Sequence, residues 1–128
     1  TAERRGKVDV CIVTCNGVPG EKPTAYVDAP GDQAGELETS LMRSLEPDLV
    51  LPLSEAGSGK ARKFRIAGLR DGWAWAPRRW TKVTDDTGPG NPKASAPEKG
   101  EKFLTAVTEK IGGFLVDLAR ADTKNMYE

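Results

Sequence analysis

The sequence predicts an α/β fold, a three-layer sandwich around a mainly parallel sheet. Short segments rich in β-branched residues alternate with segments whose apolar residues recur at helical spacing, and such alternation is typical of strands joined by helices. The length of 128 residues fits a single domain, residues 1–128, with one core. Only two helices are clear, and two helices cannot cover both faces of a full sheet. We therefore expect further strands and helices from outside this chain.

The first predicted strand covers residues 8–13 (VDVCIV), where β-branched residues dominate. Cys11 and Cys15 are four residues apart in this region and would lie on one face of a strand, which is not the geometry of a disulfide. We expect reduced thiols and a cytoplasmic protein. Three prolines between residues 19 and 30 exclude a regular helix there and leave room for a short strand at residues 25–27.

The first predicted helix follows Asp32, which can cap it, and ends at Pro47. Its apolar residues recur at helical spacing: Ala34, Leu37, Leu41, Met42 and Leu45. Short strands are expected at residues 49–51 and 64–69, on either side of a Gly/Ser turn at residues 54–60.

The last predicted helix begins at a capping box formed by Ser95 and Glu98, with Pro97 in the first turn. Its expected buried stripe consists of Phe103, Leu104, Val107, Ile111, Phe114, Leu115 and Leu118. The long loop before it, residues 71–97, holds Trp73, Trp75 and Trp80. Loops of this length are usually functional or disordered; the tryptophans favour function, either in a substrate pocket or at an interface.

The charges argue against several classes of partner. Nineteen basic and nineteen acidic residues are interspersed, so we do not expect nucleic acid as a ligand. No apolar run approaches the ~20 residues that a membrane helix requires, so we do not expect the chain to bind or span a membrane either. The most basic stretch, residues 60–65 with Arg70, Arg78 and Arg79, is interrupted by aspartates, which favours a solvated loop over an anion site. Histidine is absent, and with it the commonest general base and metal ligand. The pair Asp85 and Asp86 is more typical of a turn than of a metal site.

Two segments carry a family resemblance. Residues 31–42 (GDQAGELETSLM) resemble the His-Ala-Gly-x-x-Glu-Thr-Ser segment of the creatininase family of amidohydrolases. Residues 88–100 (GPGNPKASAPEKG) are similar to that family's second signature, a Gly-x-Gly-Asp-Pro loop that runs into Ala-Ser/Thr-x-x-Glu-Lys-Gly. The two segments stand in the family's order.

The resemblance implies that this chain is the C-terminal half of a creatininase-like hydrolase. In that family the divalent metals, for which zinc, manganese or iron are candidates, are bound mainly by the N-terminal half. The implied partners are that half or a partner chain of the same enzyme, a small-molecule substrate, and further copies in a homo-oligomer. The implied reaction is metal-dependent hydrolysis of a cyclic amide or related C–N bond.

The resemblance also nominates site residues, with one departure. Gln33 stands where the family has a proton-relaying histidine, and an amide can orient a carbonyl or a water but cannot accept a proton at neutral pH. Glu38, at the motif glutamate, or Glu36 could take the acid/base role if burial raises its pKa. We expect Glu38 and Gln33 to be catalytic, and Trp73, Trp75 or Trp80 to wall the substrate pocket.

Three alternatives remain open. Without the relay histidine, the enzyme could instead open the ring of a cyclic keto-inositol or keto-sugar. The chain could also be a non-catalytic subunit or assembly module. Finally, it opens at Thr1 without an initiator methionine, which indicates a trimmed or processed product or a fragment, or an N-terminal threonine nucleophile.

Overall fold

The computed structural model describes residues 22–29, 31–122, 124–125 and 127. Their helices are α1 (Glu36–Leu45), α2 (Ala67–Arg70), α3 (Trp80–Val83) and α4 (Pro97–Arg120), with 3₁₀ turns at Pro23–Ala25, Pro47–Leu49 and Leu53–Glu55. The predicted strand at residues 8–13, both cysteines and Thr1 lie outside the described residues.

The predicted three-layer sandwich around a parallel sheet is wrong for the described part of the chain, which contains no strand and no sheet. Residues 25–27 and 49–51 overlap 3₁₀ turns that begin at prolines, and residues 64–69 run into α2. Val50 does have extended backbone angles (φ −104°, ψ 118°). Extended residues form a strand only where a neighbouring backbone supplies ladder hydrogen bonds, and residues 49–51 make none within the described ranges.

The two predicted helices are confirmed as α1 and α4, but their predicted caps are wrong. α1 begins after Gly35 and α4 after Ala96, and neither N-cap residue makes a side-chain hydrogen bond. Asp32 is instead paired with Arg78. The oxygens of Ser95 accept hydrogen bonds from the guanidinium of Arg43 on α1. Each candidate cap is therefore used in a long-range contact that a local motif cannot reveal.

The core lies where α1 crosses the first half of α4. Its buried apolar residues are Val27, Leu37, Phe103 and Val107, with Tyr26, Leu41 and Ile111 packed around them. The rings of Tyr26 and Phe103 meet edge to face at 5.3 Å between centroids, a favoured aromatic geometry. This small core fixes α1, and with it the segment that carries the first motif.

The second half of α4 extends beyond this core. The predicted apolar stripe is buried at Phe103 and Val107, whereas Phe114 is 38% and Leu115 54% exposed. In the described residues, no helix combines the length and the apolar character that crossing a membrane requires.

Candidate active-site cleft

A cleft of about 570 Å³ opens beside α1. One wall is apolar and consists of Met42, Leu49, Val50, Leu51, Pro52 and Leu53. The polar side includes Gln33, Glu38, Thr39, Glu55, Asp86 and Thr87. The structure thus brings the two predicted catalytic residues, Gln33 and Glu38, to the same cleft. No lysine or arginine is among the described residues that line it, so the ionic side chains that they contribute are carboxylates.

Glu38 lies in the first turn of α1 with an exposed side chain. One carboxylate oxygen, Oε2, accepts a hydrogen bond from the backbone N–H of Ala34 at 2.6 Å. Ala34 has a φ of +52°, a left-handed conformation that non-glycine residues adopt rarely. The hydrogen bond thus ties the Gln33-Ala34 turn to the carboxylate, so the turn holds both candidate residues at the cleft.

Glu36, the other carboxylate of the motif, is fully buried and does not line the cleft. It contacts the ammonium group of Lys99 on α4 and accepts a hydrogen bond from the Ala29 N–H at 2.8 Å. Burial opposes ionisation, but the hydrogen bonds from Lys99 and Ala29 outweigh it and hold the pKa of Glu36 below its ordinary value. An acid/base role for Glu36 would need a raised pKa, so Glu36 is an ionised anchor between α1 and α4.

The two family-like segments are in direct contact. A Cβ placed on Gly90 would lie 2.5 Å from the Cα of Gly35 and 2.7 Å from the carbonyl oxygen of Gln33, so only glycine allows this approach. The loop of the second segment therefore supports the turn that carries Gln33. The motif glycines were visible in the sequence, but nothing local indicates that they face each other.

Asp86 is a cleft residue that sequence reasoning assigned only to a turn. Its Oδ1 accepts hydrogen bonds from the Thr84 hydroxyl at 2.9 Å and the Gly88 N–H at 3.1 Å. These bonds, the one from Thr84 foremost, lower the pKa of Asp86. Its neighbour Asp85 points elsewhere, to Arg62 at 2.7 Å. The Thr-x-Asp-x-Gly spacing of residues 84–88 was the signal that could have singled out Asp86.

None of the three tryptophans lines the cleft that holds Gln33 and Glu38. Trp73 and Trp75 are 79% and 85% exposed, and the ring of Trp73 packs over Gly68. Trp80 lies under the guanidinium of Arg78, 5.0 Å from the ring centroid. A substrate-binding role for the tryptophans stays a prediction.

The described residues do not fit a metal centre by themselves. They contain no group of three or more His, Cys, Asp or Glu side chains arranged to hold an ion, and the whole sequence has no histidine. Divalent transition metals in proteins usually take three or four such ligands.

Comparison with known proteins agrees with the two motifs. The family model for creatininase, described as creatinine amidohydrolase, matches residues 9–115. The chain belongs to the creatininase family, which confirms the resemblance drawn from residues 31–42 and 88–100. The family is generally metal-dependent.

The fold also matches a solved structure, that of a "putative creatinine amidohydrolase" from Bacteroides fragilis NCTC 9343. It is 38% identical to this chain with a TM-score of 0.85, and the match covers 99% of this chain and 48% of that one. The chain therefore spans about half the length of that protein. No curated protein matches the chain.

Proposed function

We propose that this chain is the C-terminal half of a metal-dependent hydrolase that acts on a cyclic amide or related C–N bond. The observation that carries the proposal is the placement of Gln33 and Glu38, both motif residues, in one cleft of about 570 Å³. That volume is within the range of small-molecule sites. The metal ligands would come mainly from an N-terminal half, because the described residues do not form such a site.

The chemistry available to the cleft supports a positioning and proton-handling role. Glu38 uses Oε2 for the Ala34 N–H, and its other carboxylate oxygen has no hydrogen-bond partner within the described residues. This oxygen is free to accept a hydrogen bond from a substrate N–H, or to take a proton from the attacking water and pass it to the leaving nitrogen. The Gln33 amide is suited to orient a carbonyl or a water, and the apolar wall would take the uncharged face of a ring.

Exposed apolar side chains support the need for a partner. Leu49 and Leu51 are 73% and 72% exposed, although both line the cleft, and the second half of α4 adds Phe114 and Leu115. Contiguous exposed apolar surface commonly marks an interaction site. We propose that the N-terminal half of the enzyme, or another copy in a homo-oligomer, covers these surfaces.

The experiment that tests this function is a Glu38→Gln substitution in the full-length protein. The variant keeps an oxygen for the Ala34 N–H but loses the carboxylate, so turnover of a cyclic amide should fall about 10²-fold or more, with stability unchanged within about 1 kcal/mol. The control is Glu46→Gln, an exposed residue at the end of α1 outside the cleft, which should leave turnover unchanged. Unaltered turnover in the Glu38→Gln enzyme would refute the role of this cleft.

Gln33 favours a second candidate, a ring-opening hydrolase of a cyclic keto-inositol or keto-sugar. A reaction that expels an amine needs a group to protonate it, and an amide side chain cannot relay that proton. Assay of the full-length protein on both substrate classes separates the candidates. Turnover of the cyclic ketones without turnover of the cyclic amides would refute the C–N hydrolase and support the ring-opening hydrolase.

A further inference from the structure

A second cleft, of about 360 Å³, lies between residues 62–65 and residues 77–83. Six of its lining side chains are cationic: Arg62, Lys63, Arg65, Arg78, Arg79 and Lys82. Among the described residues, Phe64, Pro77 and Val83 are the other lining residues, and none of them carries a carboxylate. It shares no residue with the cleft that holds Glu38. The sequence favoured a solvated loop here because aspartates interrupt the basic stretch, but Asp71, Asp85 and Asp86 are not among the described residues that line the cleft, so in a chain with a formal net charge of zero the cleft is a local concentration of positive charge.

Two of these cations are held in place. Arg62 is paired with Asp85, whose two carboxylate oxygens both accept from Nη2, at 2.7 and 2.8 Å, and the Arg62 backbone N–H donates to the Val83 carbonyl at 2.7 Å. That backbone bond joins the two walls of the cleft. Arg78 is paired with Asp32 and stacks on Trp80. The frame of the cleft is therefore fixed by contacts that do not need a ligand.

The other four cations, Lys63, Arg65, Arg79 and Lys82, have no acidic partner among the described residues. Their charges reinforce one another within a concave surface, which raises the local potential for an anion. Guanidinium groups match phosphate oxygens in a bidentate manner, and ammonium groups bind them as point charges. The chain thus presents unpaired groups of both kinds around one cavity.

We propose that this cleft binds a small phosphate-bearing anion. Its volume is at the small end of the range for ligand sites, which suits a compact phosphorylated molecule. A nucleic-acid backbone is disfavoured because Asp71 and Asp85 interrupt the basic surface outside the cleft and the chain as a whole has no excess of positive charge. The site is independent of the proposed hydrolase function and can exist whichever bond the enzyme cleaves.

Calorimetric titration of the full-length protein with pyrophosphate and with inorganic phosphate tests the proposal. We expect saturable binding of one pyrophosphate per chain that weakens as salt rises. The double variant Lys63→Gln/Lys82→Gln should raise Kd about tenfold or more, because two charge-assisted contacts are lost. The matched control is Lys60→Gln, an exposed lysine just outside the cleft, which should leave Kd within about twofold.

A charge-preserving variant, Lys63→Arg/Lys82→Arg, tests whether weaker binding comes from the lost charge and not from unfolding. It should bind pyrophosphate nearly as well as the wild type. The proposal is overturned if the wild type shows no saturable binding of either anion. It is equally overturned if Lys60→Gln weakens binding as much as the double variant, or if the protein binds an RNA or an anionic vesicle but not pyrophosphate.

Discussion

Glu36 shows how one residue can belong to a catalytic motif and serve the fold. Its carboxylate has no exposed surface, yet it is ionised because Lys99 and the Ala29 N–H surround it. Lys99 also approaches Asp28 at 3.5 Å and donates to the Ala94 carbonyl at 3.1 Å. A single ammonium group thus links α1, the segment before it and the loop that leads into α4.

The pKa of Glu36 predicts an acid-sensitive fold. Because that pKa is lower in the folded state than the ordinary value of about 4.5, ionised Glu36 stabilises the protein above pH 4.5, and this contribution is lost as the pH falls through the folded-state pKa. In urea unfolding from pH 7 to pH 3, the wild type should lose stability below pH 4.5. The Glu36→Gln variant should be less stable at pH 7 but lose less on acidification; an equal loss in both proteins would contradict the prediction.

Residue identities in the cleft were predictable only where a motif pointed to them. Gln33 and Glu38 were selected by their place in the first segment, and the structure brings them to one cleft. The burial of Glu36 was not predictable, since exposed and buried glutamates look alike on a helix until the partner helix is placed. Asp86 was missed because adjacent aspartates are common in turns.

At the level of secondary-structure elements, the main contact is the crossing of α1 and α4. Gly100 lies directly against the α1 backbone, and a Cβ added there would be 2.2 Å from the Ser40 carbonyl oxygen. Ser40 in turn donates its hydroxyl to the Glu36 carbonyl at 2.6 Å and accepts from the Ala96 N–H at 3.1 Å. The two helices therefore meet backbone to backbone, with little room for adjustment.

This contact predicts opposite effects for two substitutions of the same kind on α4. Gly100→Ala should destabilise the full-length protein by about 1–3 kcal/mol, because the added methyl group overlaps fixed backbone atoms. Gly112→Ala, on the same helix with nothing within 4 Å, should stabilise it by about 0.5–1 kcal/mol through helix propensity. The free energy of unfolding of both variants, measured by chemical denaturation, tests this prediction. Equal changes in the two variants would mean that the close approach at Gly100 is not maintained in solution.

Helices were easier to predict than strands for a physical reason. The apolar spacing of α1 and α4 is local information, and a helix satisfies its own backbone. Residues 49–51 and 64–69 have the composition of strands, but a strand depends on a neighbour that the sequence does not specify, and within the described ranges they have none. The helix caps were predicted wrongly for a similar reason, since Asp32 and Ser95 accept hydrogen bonds from arginines that lie far away in the sequence.

At the scale of the whole molecule, the chain matches about half of a related protein, and its described residues lack a metal-binding cluster. We therefore predict that the isolated chain does not retain zinc, manganese or iron tightly, because the ligand set would be incomplete. Elemental analysis after dialysis should show substoichiometric metal for this chain and bound metal for the full-length protein. A stoichiometric ion held by this chain alone would contradict the proposed division between the halves.

The direct contact between the two motifs has a consequence for inheritance. Gly35 faces Gly90, Ser40 faces Gly100, and Glu36 pairs with Lys99, so each of these three positions in the first segment has a physical counterpart more than fifty residues away. The two glycine contacts are made with backbone atoms, the Cα of Gly35 and the carbonyl oxygen of Ser40, which no substitution at those positions removes, whereas a change of charge at Glu36 or Lys99 can be matched at the other. In related sequences Gly90 and Gly100 should therefore stay glycine while Glu36 and Lys99 change only together, and the two motifs should behave as a single heritable unit.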